Sequence, residues 1–188
     1  MTDAAADPRA RVLEAADALF YARGVQAVGM DEVRGAAGVS LKRLYQEFPG
    51  KEQLVLAVLD ARHEFWEQGV ARAAASATTP RERLLSVFDF LEDWFAGDDF
   101  RGCGFINTFG EMGAQSPAVA EAARAHKLAF RAYVQDLTVQ AGGDARLGAQ
   151  IALLVEGAQT TAAFTGTTEP AAEARDAATT LLDAATHG

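Results

Sequence analysis

Four polar side chains lie close together in the stretch GVSLKRLYQEF, residues 38–48. Lys42 and Arg43 are cations that bind phosphate oxygens or the acceptor edge of guanine. Gln46 carries the donor and acceptor pair that bonds adenine bidentately, and the Tyr45 hydroxyl can donate to a phosphate oxygen. Side chains of these types at this spacing predict a surface that contacts DNA, and Ser40 just before them is also predicted to be a DNA-binding residue.

A short helix would place Lys42, Arg43 and Gln46 on its solvent-facing side, with Tyr45 on one flank. At about 100° per residue, Leu41, Leu44 and Phe48 fall within about 60° of one another and form the predicted buried face. A helical hairpin with a solvated charged face would show the same lysine–arginine pair, and it is the alternative to DNA recognition.

The predicted recognition helix needs supporting elements on both sides. Residues 31–37 form a short helix, and the tight connection at 38–40 allows Gly38 a positive φ and Ser40 the capping position of the next helix. Two short helices joined by such a turn make a helix-turn-helix, whose second helix enters the major groove of DNA. Lys51 begins the following helix, where backbone N–H groups also favour an anion, so it is predicted to anchor a phosphate.

The charge of the chain is unevenly distributed, which bears on whether it can bind a polyanion. The formal net charge is −9 over 188 residues, yet residues 1–51 hold seven basic and seven acidic side chains. The remainder therefore carries the whole negative charge. A neutral segment 1–51 followed by an acidic remainder is compatible with a protein that contacts DNA only through residues 1–51.

Proline and apolar spacing predict the elements of the rest of the chain. Pro8, Pro80, Pro117 and Pro170 fit first helical turns, and Pro49 with Gly50 fits a turn between helices. Apolar residues repeat with helical period throughout. The predicted fold is all-α with about nine helices, in which residues 1–51 are a three-helix DNA-binding domain and residues 52–188 a helical ligand-binding and dimerisation domain.

The N-terminal third resembles the DNA-binding domain of TetR-type (TetR/AcrR) transcriptional regulators over residues about 10–57. The shared features are the AAGVS turn at 36–40, the Leu44-Tyr45 pair and the F-x-x-K-E exit at 48–52. This resemblance implies a homodimer that binds operator DNA and releases it when a small molecule binds the C-terminal domain. Two departures are a Leu41-Lys42-Arg43 run in place of a Lys-Gly-Thr-like run, and Met30 in place of a capping Thr or Ser, which leaves Asp31 to supply a negative helix end.

The predicted C-terminal domain, residues 52–188, supplies aromatic and polar residues that could line an apolar ligand pocket. The predicted pocket residues are Phe88, Leu91, Phe95, Phe105, Asn107, Phe109, Met112, Phe130 and Gln159. Thr108, Glu111 and His126 are further polar candidates, although His126 is expected to be a surface or capping residue. Helices at about 145–165 and 170–186 are rich in small residues, so they are predicted to pair across the two-fold axis of a dimer; a monomeric core is the alternative.

An enzyme and a protein-binding adaptor are the rival functions. The GCGFIN stretch at 102–107 lacks dinucleotide-binding spacing, no G-x-S-x-G motif occurs, and the three histidines have no metal-ligand spacing. No catalytic residue, metal site or cofactor is therefore predicted. The single cysteine, Cys103, fits a reducing compartment, and neither a signal peptide nor a bilayer-spanning run is recognised. A cytoplasmic protein that does not contact a membrane is expected.

Overall fold

The computed structural model describes residues 7–186, and this part of the chain holds nine α-helices, one 3-10 turn at Ala74–Ser76 and no strand. The all-α prediction is confirmed. The helices are α1 (Pro8–Arg23), α2 (Met30–Ala37), α3 (Leu41–Glu47), α4 (Lys51–Ala73), α5 (Pro80–Phe95), α6 (Gly104–Met112), α7 (Pro117–Gln140), α8 (Ala145–Thr165) and α9 (Glu169–Thr186).

Several helices begin where proline and a capping side chain predict. The Asp7 carboxylate accepts from the Arg9 N–H at 3.0 Å at the start of α1. The Thr79 hydroxyl accepts from the Glu82 N–H at 3.2 Å at the start of α5. These caps satisfy backbone donors that have no partner within the helix, which is why the chain becomes helical at these residues.

The helices are distributed over two compact units. The first comprises the residues up to Glu64 together with Gly104–Arg124, and the second comprises Phe65–Cys103 and the chain from Ala125 onward. Helices α4 and α7 each contribute one part to each unit. The functional boundary at residue 51 stays a prediction.

The first unit is built around α1. Val12, Ala16 and Phe20 lie on its buried face, with exposed fractions of at most 5%. They are joined by buried side chains from the following connection, from the three helices after it and from the residue that directly follows α3. Those side chains are Val25, Val28, Val33, Leu44, Phe48, Leu54, Val55 and Val58.

The second unit has an aromatic core between α5, α8, α9 and parts of α4 and α7. Trp66 makes edge contacts with His126 and Phe130 at centroid distances of 5.7 Å. His126 is only 9% exposed, so the surface or capping position expected for it is wrong. The nearby indole ring explains why an imidazole is accommodated inside the unit, since its ring packs as an aromatic surface.

Gly69 of α4 allows a close approach of an aromatic ring within the second unit. A Cβ atom at this position would lie 2.2 Å from the buried Phe90 ring. Any side chain at position 69 would therefore displace that ring. Among the described residues, no helix is both long and apolar enough to cross a bilayer.

Candidate nucleic-acid interface

Helices α2 and α3 form the predicted helix-turn-helix in the first unit. Gly38 ends α2 in the left-handed conformation, with φ 63° and ψ 36°, a region that favours glycine. The Val39 N–H then donates to the Arg34 carbonyl at 3.1 Å, and the Ser40 hydroxyl caps α3 by accepting from the Arg43 N–H at 3.2 Å. The predicted turn and the predicted serine cap are both confirmed.

The buried face of α3 is narrower than the helical angles predict. Leu44 and Phe48 are buried as expected, with exposed fractions of 0% and 2%, but Leu41 is 40% exposed. The prediction that Leu41 is buried is wrong. Leu41 is the first residue of α3, and a side chain there leans toward the N-terminus of its helix, over the turn rather than onto the core.

The outer face of α3 carries the side chains predicted to recognise DNA. Lys42, Arg43, Tyr45 and Gln46 are all exposed, and Tyr45 has 45% of its surface accessible. The Arg43 guanidinium pairs with the Glu47 carboxylate at 2.7 Å, one turn along the same helix. The pair is only partly exposed, because the Glu47 side chain has 18% of its surface accessible. A phosphate or a base that binds Arg43 would therefore have to replace this contact.

Lys51 has a contact inside the first unit. Its ammonium donates to the Val28 carbonyl at 2.7 Å and lies 5.9 Å from the centre of the Phe20 ring. This contact ties the start of α4 to the connection between α1 and α2. The predicted phosphate contact of Lys51 stays a prediction, and it would use the remaining donors of the ammonium.

The negatively charged side chain that caps the N-terminus of α2 is Glu32 rather than Asp31. The Glu32 carboxylate accepts from the Arg23 guanidinium at 2.5 Å and from the Gly29 N–H at 3.4 Å. The hydrogen bond from Arg23, followed by the one from Gly29, lowers the pKa of Glu32 below its usual value. Asp31 instead binds the Arg34 side chain at 2.8 Å. The cap predicted for Asp31 is thus made one residue later, where the side chain can reach back to the helix start.

Two further contacts fix the elements around α3 and were not predicted. The Arg9 guanidinium donates to the Glu47 carbonyl at 3.0 Å and lies 4.3 Å from the centre of the Phe48 ring. The second contact involves Glu111 of α6, whose carboxylate accepts from the Val25 N–H at 3.1 Å and the Gln26 N–H at 2.7 Å. No sequence signal links residues so far apart along the chain.

The predicted ligand-pocket residues are divided between the two units. Phe105, Asn107, Phe109 and Met112 lie in the first unit, where Phe105 is buried and Phe109 is 52% exposed. The other five lie in the second unit, where Gln159 is 6% exposed. Those assigned to its tightly packed core are Phe88, Leu91, Phe95 and Phe130. The nine residues therefore do not line one cavity within either unit, and their contact with a ligand stays a prediction.

The described residues offer little for metal binding. No group of three His, Cys, Asp or Glu side chains within residues 7–186 could hold a metal ion. Cys103 is a buried free thiol. The exposed polar face of the helix-turn-helix is therefore the candidate functional site.

Comparisons with known proteins agree with this arrangement. Residues 12–58 match the model of the family described as bacterial regulatory proteins, tetR family. The segment contains α2, α3, the Arg43–Glu47 pair and the contact of Lys51 with Val28.

The similarity extends over at least 95% of the chain in two solved structures. A putative TetR transcriptional regulator from Streptomyces avermitilis, sav143, is 34% identical, with a TM-score of 0.80 and coverage of 96% of this chain and 98% of that chain. SCO4454, a TetR-family transcriptional regulator from Streptomyces coelicolor, is 29% identical, with a TM-score of 0.88 and coverage of 95% of each chain.

Curated relatives match over a shorter segment. The HTH-type transcriptional activator FasR from Mycolicibacterium smegmatis is 42% identical over 88 residues, which span 45% of this chain and 40% of that protein. The chain thus matches less than half the length of such relatives. All of these proteins are named as regulators of transcription and not as enzymes, in agreement with the predicted lack of catalytic activity. From the helix-turn-helix geometry and these similarities together, we conclude that the chain belongs to the TetR family of DNA-binding transcriptional regulators.

Proposed function

We propose that the protein is a homodimeric repressor that binds operator DNA through α3 and releases it when a small, largely apolar molecule binds the second unit. The observation that carries this proposal is the exposed polar face of α3, held in place by the buried Leu44. Because operator DNA is the partner, a cytoplasmic location follows from the proposal.

Recognition of DNA would depend on the division of the α3 surface into charged and neutral polar groups. Lys42 and Arg43 can neutralise phosphates, which provides affinity that falls as salt concentration rises. Arg43 and Gln46 can also reach acceptors and donors on base edges, which provides discrimination between sequences. The short helix offers few such contacts, so a two-fold dimer that presents α3 twice is the arrangement that we propose.

Exposed apolar residues on α8 and α9 support the dimer. Leu153 and Phe164 of α8 are 72% and 88% exposed, and Leu181 of α9 is 36% exposed. Gly157 lies between the two on α8, and a Cβ atom there would have no neighbour within 4 Å. Large apolar side chains beside open space are typical of surfaces that a second protein covers.

The second unit also has a groove that supports a small-molecule effector. This partly open groove has a volume of about 450 Å³ and is lined by Phe65, Phe90 and Trp94, with Arg72 and Asp93 as polar neighbours. Its size and its few polar groups are typical of sites for small organic molecules.

Binding to a fluorescent duplex taken from upstream of the coding sequence tests the proposal. Lys42→Ala or Arg43→Ala should weaken binding by about 5- to 150-fold, equivalent to about 1–3 kcal/mol, if the residue contacts a base. Loss of a residue that contacts only phosphate should instead reduce the slope of log affinity against log salt concentration by about one. Arg124→Ala is the matched control, because Arg124 is an exposed arginine of α7 in the same unit.

The assay also separates the alternatives. Unchanged DNA affinity in both α3 variants would reject α3 as the recognition helix and favour a helical adaptor that binds protein. A reporter gene placed behind the bound duplex then gives the sign of regulation. Expression that rises when the regulator is removed supports repression, whereas a fall would give this chain the role of activator, as FasR is named.

A further inference from the structure

A partly open cavity lies inside the first unit, among α1, α4 and α6. Its volume is about 140 Å³. The apolar part of its wall includes Phe20, Val25, Val55 and Val58, and these side chains are all at most 5% exposed. Of the nine predicted pocket residues, Asn107 is the one that lines this cavity.

The charged groups on the cavity wall already have partners within the unit. The Arg62 guanidinium pairs with Asp17 at 2.6 Å and lies 3.6 Å from the centre of the Tyr21 ring. The Glu111 carboxylate accepts from two backbone N–H groups, those of Val25 and Gln26. An ionic ligand would therefore have to compete with existing partners, so a neutral ligand fits the wall better.

Two glycines keep space for those charged side chains. A Cβ atom at Gly24 would lie 2.9 Å from the Glu111 carboxylate, and one at Gly104 would lie 2.9 Å from the Arg62 side chain. Gly24 also has a φ of 86°, which disfavours other residues. The cavity wall is thus formed by backbone and by side chains held in fixed positions.

Three uncharged side chains with polar groups also line the cavity, namely Tyr21, Asn107 and Thr108. Thr108 of α6 lines the cavity and is 8% exposed. Its hydroxyl can both donate and accept a hydrogen bond. The wall thus combines apolar side chains with a few uncharged polar groups, and that combination binds a molecule with an apolar body and one hydrogen-bonding group.

We propose that this cavity is a binding site for a neutral molecule of about the size of benzene that carries one hydrogen-bonding group, as a phenol does. An apolar cavity of roughly 150 Å³ is large enough to bind benzene. The site is separate from the effector groove proposed for the second unit, and its occupant contacts α1, α4 and α6 of the DNA-binding unit. It does not depend on the proposed repression.

Titration of the whole protein with phenol, followed by NMR of valine methyl groups, tests the site. The methyl signals of Val25, Val55 and Val58 should shift together and saturate with one dissociation constant. Val58→Phe places a ring in the cavity and should weaken phenol binding by more than 10-fold. Benzoate, an anion of similar size, should bind at least 10-fold more weakly than phenol, because Arg62 and Glu111, the charged groups that line the cavity, already have partners and would leave the benzoate carboxylate unpaired.

A second pair of variants keeps the test decisive if Val58→Phe does not fold. Thr108→Val preserves the side-chain shape, removes the hydroxyl and should weaken phenol binding by about 5-fold. Thr138→Val makes the same change at a fully buried threonine of the second unit and should leave phenol affinity unchanged.

Three results would overturn the proposal. They are no phenol binding up to its solubility limit, saturation without shifts at the three valines, and equal losses in the two threonine variants. Tighter binding of benzoate than of phenol would overturn the assignment of a neutral ligand.

Discussion

The carboxylate of Glu111 is expected to stabilise the connection between α1 and α2, and Glu111→Ala tests this expectation. The variant removes the acceptors of the Val25 N–H at 3.1 Å and the Gln26 N–H at 2.7 Å. The bond to Val25 is partly buried, and the bond to Gln26 is exposed. A third bond, from the Gln26 side chain to the Glu111 carbonyl at 2.5 Å, uses the backbone and can persist.

The magnitude follows from these environments. A hydrogen bond to a charged group contributes about 1.5–3 kcal/mol when it is shielded from water, and an exposed one contributes less. We therefore assign about 2 kcal/mol to the bond at Val25 and at most about 1 kcal/mol to the bond at Gln26. The variant should lose about 2–3 kcal/mol from the local opening free energy, which corresponds to roughly 30- to 150-fold faster amide exchange.

Native-state hydrogen exchange at the Val25 and Gln26 amides measures this loss directly. The matched control is Glu121→Ala, because Glu121 is an exposed glutamate of the same unit that pairs with Arg124 at 2.9 Å. The control should leave both amides unchanged, since exposed pairs contribute little. If Glu111→Ala exchanges no faster at these amides than Glu121→Ala, the reasoning is refuted.

Two further predictions concern the second unit. The hydrogen bond from the Thr78 side chain, followed by backbone N–H donors, lowers the pKa of Glu82 to about 2, so its contribution to stability is present above pH 4.5 and is lost as the pH falls to about 2. Urea unfolding should accordingly show Glu82→Gln less stable than the wild type at pH 7 and equal to it near pH 2, and an unchanged difference would contradict this assignment. Gly69→Ala should destabilise the protein by about 1–3 kcal/mol in the same measurement, because its Cβ atom would overlap the Phe90 ring. Gly110→Ala is its control, since a Cβ atom there meets nothing within 4 Å, and an equal effect of both changes would argue against the overlap.

The ends of the helices were the most predictable part of the fold. Proline and capping side chains act over three or four residues, so their effect can be read from the sequence alone. The same locality explains why the turn at Gly38 and the cap at Ser40 were predicted correctly. The exposed position of Leu41 was missed, because helical angles give the direction of a side chain but not the extent of the surface that it meets.

Contacts between distant parts of the chain were the least predictable. Helix α6 belongs to the same compact unit as α1, and the hydrogen bonds from the Val25 and Gln26 N–H groups to the Glu111 carboxylate were not predicted. The possible ligand contact of Glu111 stays a prediction. His126 was expected at the surface, yet it packs against Trp66. Each of these positions depends on which helices pack together, and apolar periodicity does not determine the choice of partner.

The pairing of Arg43 with Glu47 has a consequence for selectivity if α3 is the recognition helix. The guanidinium already holds an anion at 2.7 Å before any DNA arrives. Contact with a single phosphate would replace one oxyanion with another, which is nearly an even exchange. A duplex that also presents matching base edges would add hydrogen bonds that exceed the lost contact with Glu47. The Glu47 carboxylate would therefore disfavour binding to random DNA sequence more than binding to the operator.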